Sequence, residues 1–274
     1  MSKGRELDTG TGELLAEIRD RVAILTLNRP GARNALSNRL TAALGKLIKS
    51  VTEDPEVRSI LLTGAGSAFC AGADVKGMLQ NSTKAELPIE QRVLGFRVEQ
   101  RALMGPLITA RKPTIAAIPG PAAGAGLALA LACDFRIAAR SAFMTTAYAR
   151  VGLSGDFGIA WLLTRMAGFS RARELMLFSE RIDAERAEAL GLINRVVPDA
   201  DLWETAFALA ASLAAGPTMA FGCMKDNLDD AVTSTFLASL DYEAETVIRA
   251  GQTLDHQEGL RAFAEKRKPA FKGR

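Results

Sequence analysis

The chain has 274 residues, 48% hydrophobic and 24% charged, so it can bury a sizeable core as one large domain or two small ones. Lys and Arg total 34 against 31 Asp and Glu, and the net charge of +3 is too small to argue for nucleic acid from bulk charge. The cysteines, Cys70, Cys133 and Cys223, lie far apart in apolar contexts and His256 is the single histidine, which speaks against a disulfide framework and a histidine-ligated metal site.

Residues 14–18 and 22–27 are apolar runs joined by Asp20-Arg21 and predict a hairpin. Ser37 predicts the N-cap of a helix over 38–51, where Leu40, Leu44, Leu47, Ile48 and Val51 keep helical spacing. Residues 57–63 predict a buried strand, 86–110 a long helix, 114–118 a strand, 124–132 a helix and 135–138 a strand. A glycine-rich loop over 151–157 precedes helices at 161–167, 171–178 and 184–190, and 194–197 predicts a short strand. From Asp199 onward the pattern is helical, broken at Gly216-Pro217 and near Gly251. The sequence therefore reads as α/β with a parallel component, followed by a helical C-terminal part.

The uncharged stretch 113–133 is long enough to span a bilayer. Its prolines, Pro113, Pro119 and Pro121, and its glycines favour a strand, a turn and a buried helix instead. With an N-terminus that lacks an apolar core, the expectation is a soluble, reduced, cytoplasmic protein with no membrane partner.

Ala68-Phe69-Cys70-Ala71-Gly72-Ala73-Asp74-Val75-Lys76 and Gly120-Pro121-Ala122-Ala123-Gly124-Ala125-Gly126 are loops of small residues, each following a strand. Small residues let a ligand approach the backbone, and a loop entering a helix presents free N–H groups. Two such loops can aim two donors at one oxygen, the chemistry of an oxyanion hole. A dinucleotide fingerprint at Gly124-Ala125-Gly126 fails, because Leu129 replaces the third glycine and Asp134 comes too soon for the acidic residue.

Residues 68–75 resemble the signature of the crotonase superfamily, which includes the enoyl-CoA hydratases and isomerases. Asn28-Arg29-Pro30-Gly31-Ala32-Arg33-Asn34-Ala35-Leu36, Ala122 to Leu127 with Cys133-Asp134, and Ala262-Phe263-Ala264-Glu265-Lys266-Arg267 extend the likeness in order over nearly the whole chain. The resemblance implies a crotonase-like spiral of repeated ββα units over 1–198, carrying an acyl-CoA site. It implies a helical region over 199–274 that forms a homo-trimer or hexamer and closes the CoA site. The ligand is then a coenzyme A thioester, with coenzyme A as part of the substrate and no separate cofactor.

By motif position, the resemblance makes the N–H groups of Ala71 and Ala125 the oxyanion donors. The two glutamates of the family's hydratases fall on Ala128 and Tyr148, neither of which can serve as acid or base. Asp156 stands where isomerases and some dehalogenases of the family place a carboxylate. A single carboxylate can move a proton between carbons, so Asp156 becomes the expected acid/base for double-bond isomerisation, with Tyr148 donating a hydrogen bond or packing on the acyl group. Burial beside Phe157 and Tyr148 would raise its pKa.

Asp74 is expected to organise its loop and start a helix at Val75, near the coenzyme. Arg29, Arg33 and Lys76 are candidates for the coenzyme phosphates. Phe263 and Lys266 match positions that reach the adenine end, sometimes from a neighbouring subunit. His256 reads as a surface or capping residue, and Cys70 as a small buried filler. Hydration of a 2-enoyl thioester, thioester hydrolysis or dehalogenation, and a binding protein without turnover are the alternatives. RNA binding, found in some relatives, is disfavoured by the absence of a basic stripe.

Overall fold

The computed structural model describes residues 4–74 and 87–274. Strands β1 (Arg5–Glu6), β2 (Leu14–Arg19) and β3 (Val22–Leu27) form an antiparallel meander. Asp20 and Arg21, at φ 51° and 65°, make the tight β2–β3 turn, whose two left-handed residues match the twist of the flanking strands.

From β3 onward the sheet is parallel. β4 (Ser59–Gly64), β5 (Thr114–Ile118), β7 (Phe135–Ala139) and β10 (Arg195–Val197) follow in the order β1-β2-β3-β4-β5-β7-β10. Every residue of β4 and β5 is buried, as expected for parallel strands covered on both faces. A second, small sheet joins β6 (Ala122–Ala123), β8 (Phe143–Thr145) and β9 (Ile182–Asp183). The sequence reading missed these three strands, since two or three residues are too few to show alternation.

Helix α1 (Asn38–Glu53) starts where expected: the Leu40 N–H donates to Ser37 Oγ at 3.0 Å. Its stripe of Leu40, Leu44, Leu47, Ile48 and Val51 is buried. Helix α2 (Ile89–Ile108) crosses α1 closely, because a Cβ at Gly45 would lie 2.5 Å from the Ala102 carbonyl oxygen. Helix α3 (Ala125–Leu131) is buried at every residue. Stretch 113–133 thus folds as β5, β6 and α3, and no single helix among the described residues is long and apolar enough to cross a membrane.

Helices α4 (Ile159–Met166), α5 (Gly168–Phe178) and α6 (Ala184–Ala189) lead to β10. Helix α7 (Leu202–Ala214) then lies back on the large sheet, burying Ala206, Ala210 and Ala214, and the Ser59 hydroxyl donates to the Ala210 carbonyl at 2.8 Å. Helices α8 (Thr218–Ala231), α9 (Phe236–Ala250) and α10 (Leu254–Ala264) complete the chain. They leave large apolar side chains in solvent, among them Leu228, Phe236, Ile248 and Phe263.

Candidate active site

The first small-residue loop forms a short extended segment held on both sides. Cys70 bridges Ala122 and Ala73 bridges Leu36, each in parallel sense. On one side the Cys70 N–H donates to Pro121 O and the Ala123 N–H to Cys70 O. On the other, the Leu36 N–H donates to Gly72 O, the Asp74 N–H to Leu36 O and the Ala71 N–H to Arg33 O.

This corrects one expectation. The Ala71 amide, at 2.9 Å from the Arg33 carbonyl, is engaged inside the protein and is not available to a ligand. In a parallel bridge the residues flanking Ala73 bond to Leu36, so the N–H of Ala73 itself turns to the opposite side. That is the side of the second loop. A Cβ built on Gly72, whose φ is +89°, would sit 2.8 Å from Ala123 O and 3.5 Å from Ala125 N. A Cβ on Gly126 would lie 2.3 Å from Cys70 O. The small residues are therefore required by backbone contact between the two loops as well as by any ligand. Ala125 is the first residue of α3, so its N–H has no partner within the helix.

Tyr148 and Asp156 meet beside this junction. A Cβ on Gly124 would lie 3.7 Å from the Tyr148 hydroxyl oxygen, and that hydroxyl donates to Asp156 Oδ1 in a short hydrogen bond. Tyr148 is 5% exposed, at the start of a 3-10 turn (Tyr148–Val151). Asp156 is half-buried in a loop with left-handed φ at Gly155 (+112°), Phe157 (+47°) and Gly158 (+81°). Burial raises the Asp156 pKa, and the Tyr148 hydroxyl partly opposes that rise. Burial, reinforced by the hydrogen bond to Asp156, also raises the Tyr148 pKa, which keeps the phenol protonated as a donor. Ala128 is fully buried in α3.

Asp74 accepts from Arg29 Nη2 at 2.8 Å. Arg29 also donates to the Ala35 carbonyl at 2.6 Å and lies 3.6 Å from Glu13, which accepts from the Ser37 hydroxyl. Its guanidinium buttresses the loop from within. Arg33 is exposed and left-handed at φ 49°, and no hydrogen bond or ion pair of its side chain occurs among the described residues. Val75 and Lys76 lie outside the described residues. Phe263, 87% exposed, and Lys266 are on the surface at and just beyond the end of α10.

Cys70 is fully buried and its thiol is pushed up to about 12 by burial, which suits a packing residue and not a nucleophile. His256 is exposed, and its backbone N–H donates to the N-cap Thr253 hydroxyl. A groove of about 610 Å³ across β2 and β3, bordered by Leu15, Ile24, Thr26 and Trp203, contains none of the candidate residues.

A family model described as Enoyl-CoA hydratase/isomerase matches residues 17–274. The chain belongs to the enoyl-CoA hydratase/isomerase family. It is 40% identical over 263 residues to a 1,2-epoxyphenylacetyl-CoA isomerase of Escherichia coli, covering 95% of this chain and 98% of the relative. It is 33% identical to a short-chain-enoyl-CoA hydratase of Clostridium acetobutylicum, covering 95% and 98%. The crystal structure of an enoyl-CoA hydratase from Polaromonas superposes with a TM-score of 0.88 at 35% identity, covering 95% of this chain and all of that one. The expected crotonase-type α/β fold and an enzyme of the hydratase/isomerase family are thus established.

Two residues beside the small-residue loops and the Asp156 loop were not singled out by the sequence. Ala73 was quoted within the motif, but spacing alone does not say which amide of a loop is free. Gln100 of α2, which accepts from the Phe157 N–H at 2.6 Å, carries no sequence signal because its partner is a backbone group far along the chain.

Proposed function

We propose that this protein isomerises the double bond of an enoyl-CoA thioester, with Asp156 as the acid/base. The carrying observation is the half-buried Asp156 carboxylate, bonded to Tyr148, whose hydroxyl lies beside Gly124 and hence next to the Ala125 amide. In this reading the thioester oxygen accepts from the N–H groups of Ala73 and Ala125. Asp156 takes a proton from C2 of a 3-enoyl chain and the charge moves onto the thioester oxygen as a dienolate. The same proton returns at C4, giving the conjugated 2-enoyl thioester with atoms and charge unchanged. Tyr148 holds the carboxylate and stays protonated.

The absence of a carboxylate at Ala128 and Tyr148 supports isomerisation over the two-glutamate addition of water. Hydration is the second reading, favoured by the hydratase relatives. The apolar side chains on α2, including Ile89, Leu94 and Val98, are exposed and offer a wall for the acyl chain. Arg33 supplies a cation for the coenzyme phosphates. Helices after Asp199 carry the contacts of a trimer or hexamer, and in the assembly Phe263 and Lys266 serve the adenine end of a neighbouring site.

Native protein and Asp156→Asn are compared on 3-enoyl-CoA and 2-enoyl-CoA in deuterated water. Conjugation of the 3-enoyl thioester with no net water addition is expected, with kcat about 10²- to 10⁴-fold lower in the variant. Unchanged turnover in Asp156→Asn removes the carboxylate from the chemistry, and net formation of a 3-hydroxyacyl thioester selects hydration.

A further inference from the structure

The Asp156 loop is held in an unfavourable backbone state from outside. Phe157 has φ +47°, a left-handed conformation that is unfavourable for a non-glycine residue. Such a residue persists only where its surroundings over-determine it. Two side chains of α2 do so. Gln100 Oε1 accepts from the Phe157 N–H at 2.6 Å. The Phe96 ring meets the Phe157 ring edge-on, with centroids 5.8 Å apart and planes at 90°. Phe96 and Gln100 are four residues apart and so share one face of the helix. Phe157 is 6% exposed. On the other side, a Cβ at Gly155 would sit 3.0 Å from Met176 and 3.1 Å from Ile159, both apolar.

We infer that Gln100 is a positioning residue for catalysis: by accepting from the Phe157 amide it fixes the backbone carrying Asp156 and sets where the carboxylate sits. The inference rests on Asp156 being the acid/base. The Oε1 lone pair is the working feature, so an apolar side chain of similar length loses the function, whereas a carboxylate keeps the acceptor and adds a charge. The titratable group bonded to Asp156 is Tyr148; the Gly155 neighbours are uncharged.

The test uses the full-length protein on one 3-enoyl-CoA substrate, with Asp156→Asn, Gln100→Met and Gln100→Glu measured side by side. Gln100→Met is expected to lower kcat by about 10- to 100-fold with KM within about twofold, the scale of a misplaced catalytic group. Gln100→Glu is expected to recover kcat at high pH and to move the acid limb of the pH profile upward, because a second carboxylate disfavours ionisation of Asp156. A merely structural role would not give the split expected here, kcat lost with KM kept in Gln100→Met and kcat regained in Gln100→Glu at high pH, where the acceptor is restored. If Gln100→Met does not fold, Gln100→Ala takes its place, with kcat and KM read in the same way. Native kcat in Gln100→Met, or no recovery of kcat in Gln100→Glu at any pH, overturns the inference while a loss in Asp156→Asn upholds the carboxylate. No loss in Asp156→Asn overturns both together.

Discussion

The Tyr148 hydroxyl donates to Asp156 Oδ1, across a loop in which Gly155, Phe157 and Gly158 all have left-handed φ. The bond stabilises the charged carboxylate and works against the burial that raises its pKa. Tyr148→Phe removes the donor. The acid limb of kcat/KM should move to higher pH than in the native enzyme, with the high-pH plateau less affected. An unmoved limb would mean the phenol does not influence the titrating group.

The same carboxylate links stability to pH. An acid whose pKa is raised on folding binds its proton more tightly in the native state. Its contribution is most favourable below the unfolded value near 3.8 and is lost as pH rises through the folded value. Asp156→Asn removes this loss. Its Tm should exceed that of the native protein by more at pH 7.5 than at pH 4, measured by calorimetry. An equal or reversed difference would show that burial does not penalise the charge.

The choice between Ala71 and Ala73 can be tested atom by atom. Replacing Ala73 by its α-hydroxy acid analogue converts one amide to an ester and deletes one N–H. This should cost about 10²- to 10³-fold in kcat, as for other oxyanion donors. The same exchange at Ala71 deletes the bond to Arg33 and should cost about 1 kcal/mol of stability with far less effect on kcat.

Arg29 sits between Asp74, the Ala35 carbonyl and Glu13. Arg29→Gln should lower Tm and depress kcat equally for a CoA thioester and its pantetheine analogue, because it removes the bonds to Asp74 and the Ala35 carbonyl. Arg33→Ala should raise KM for the CoA thioester alone. A CoA-selective KM effect at Arg29 would return it to phosphate binding.

The apolar surface of α8 and α9 predicts assembly. Sedimentation equilibrium should give a trimer or a multiple of it. Leu228→Glu with Ile248→Glu should shift the distribution toward monomer, and a native protein that sediments as a monomer would contradict the reading.

The sequence determined much by itself. The Ser37 cap, the stripe Leu40 to Val51, the short apolar runs Ile60 to Leu62 and Ile115 to Ile118 and the two small-residue loops are local patterns, set by helical or strand period and by side-chain size. It also displayed Asp156 and the missing glutamates, because those follow from identity at a position. The tertiary structure decided the rest. Which amide of a loop is free depends on a carbonyl from another segment, as Arg33 O shows for Ala71. Whether Arg29 faces solvent or a carboxylate depends on where Asp74 is brought, and the clamp of Gln100 on Phe157 joins residues 100 and 157. Hydrogen bonds between distant residues leave no period in the chain, so only folding reveals them.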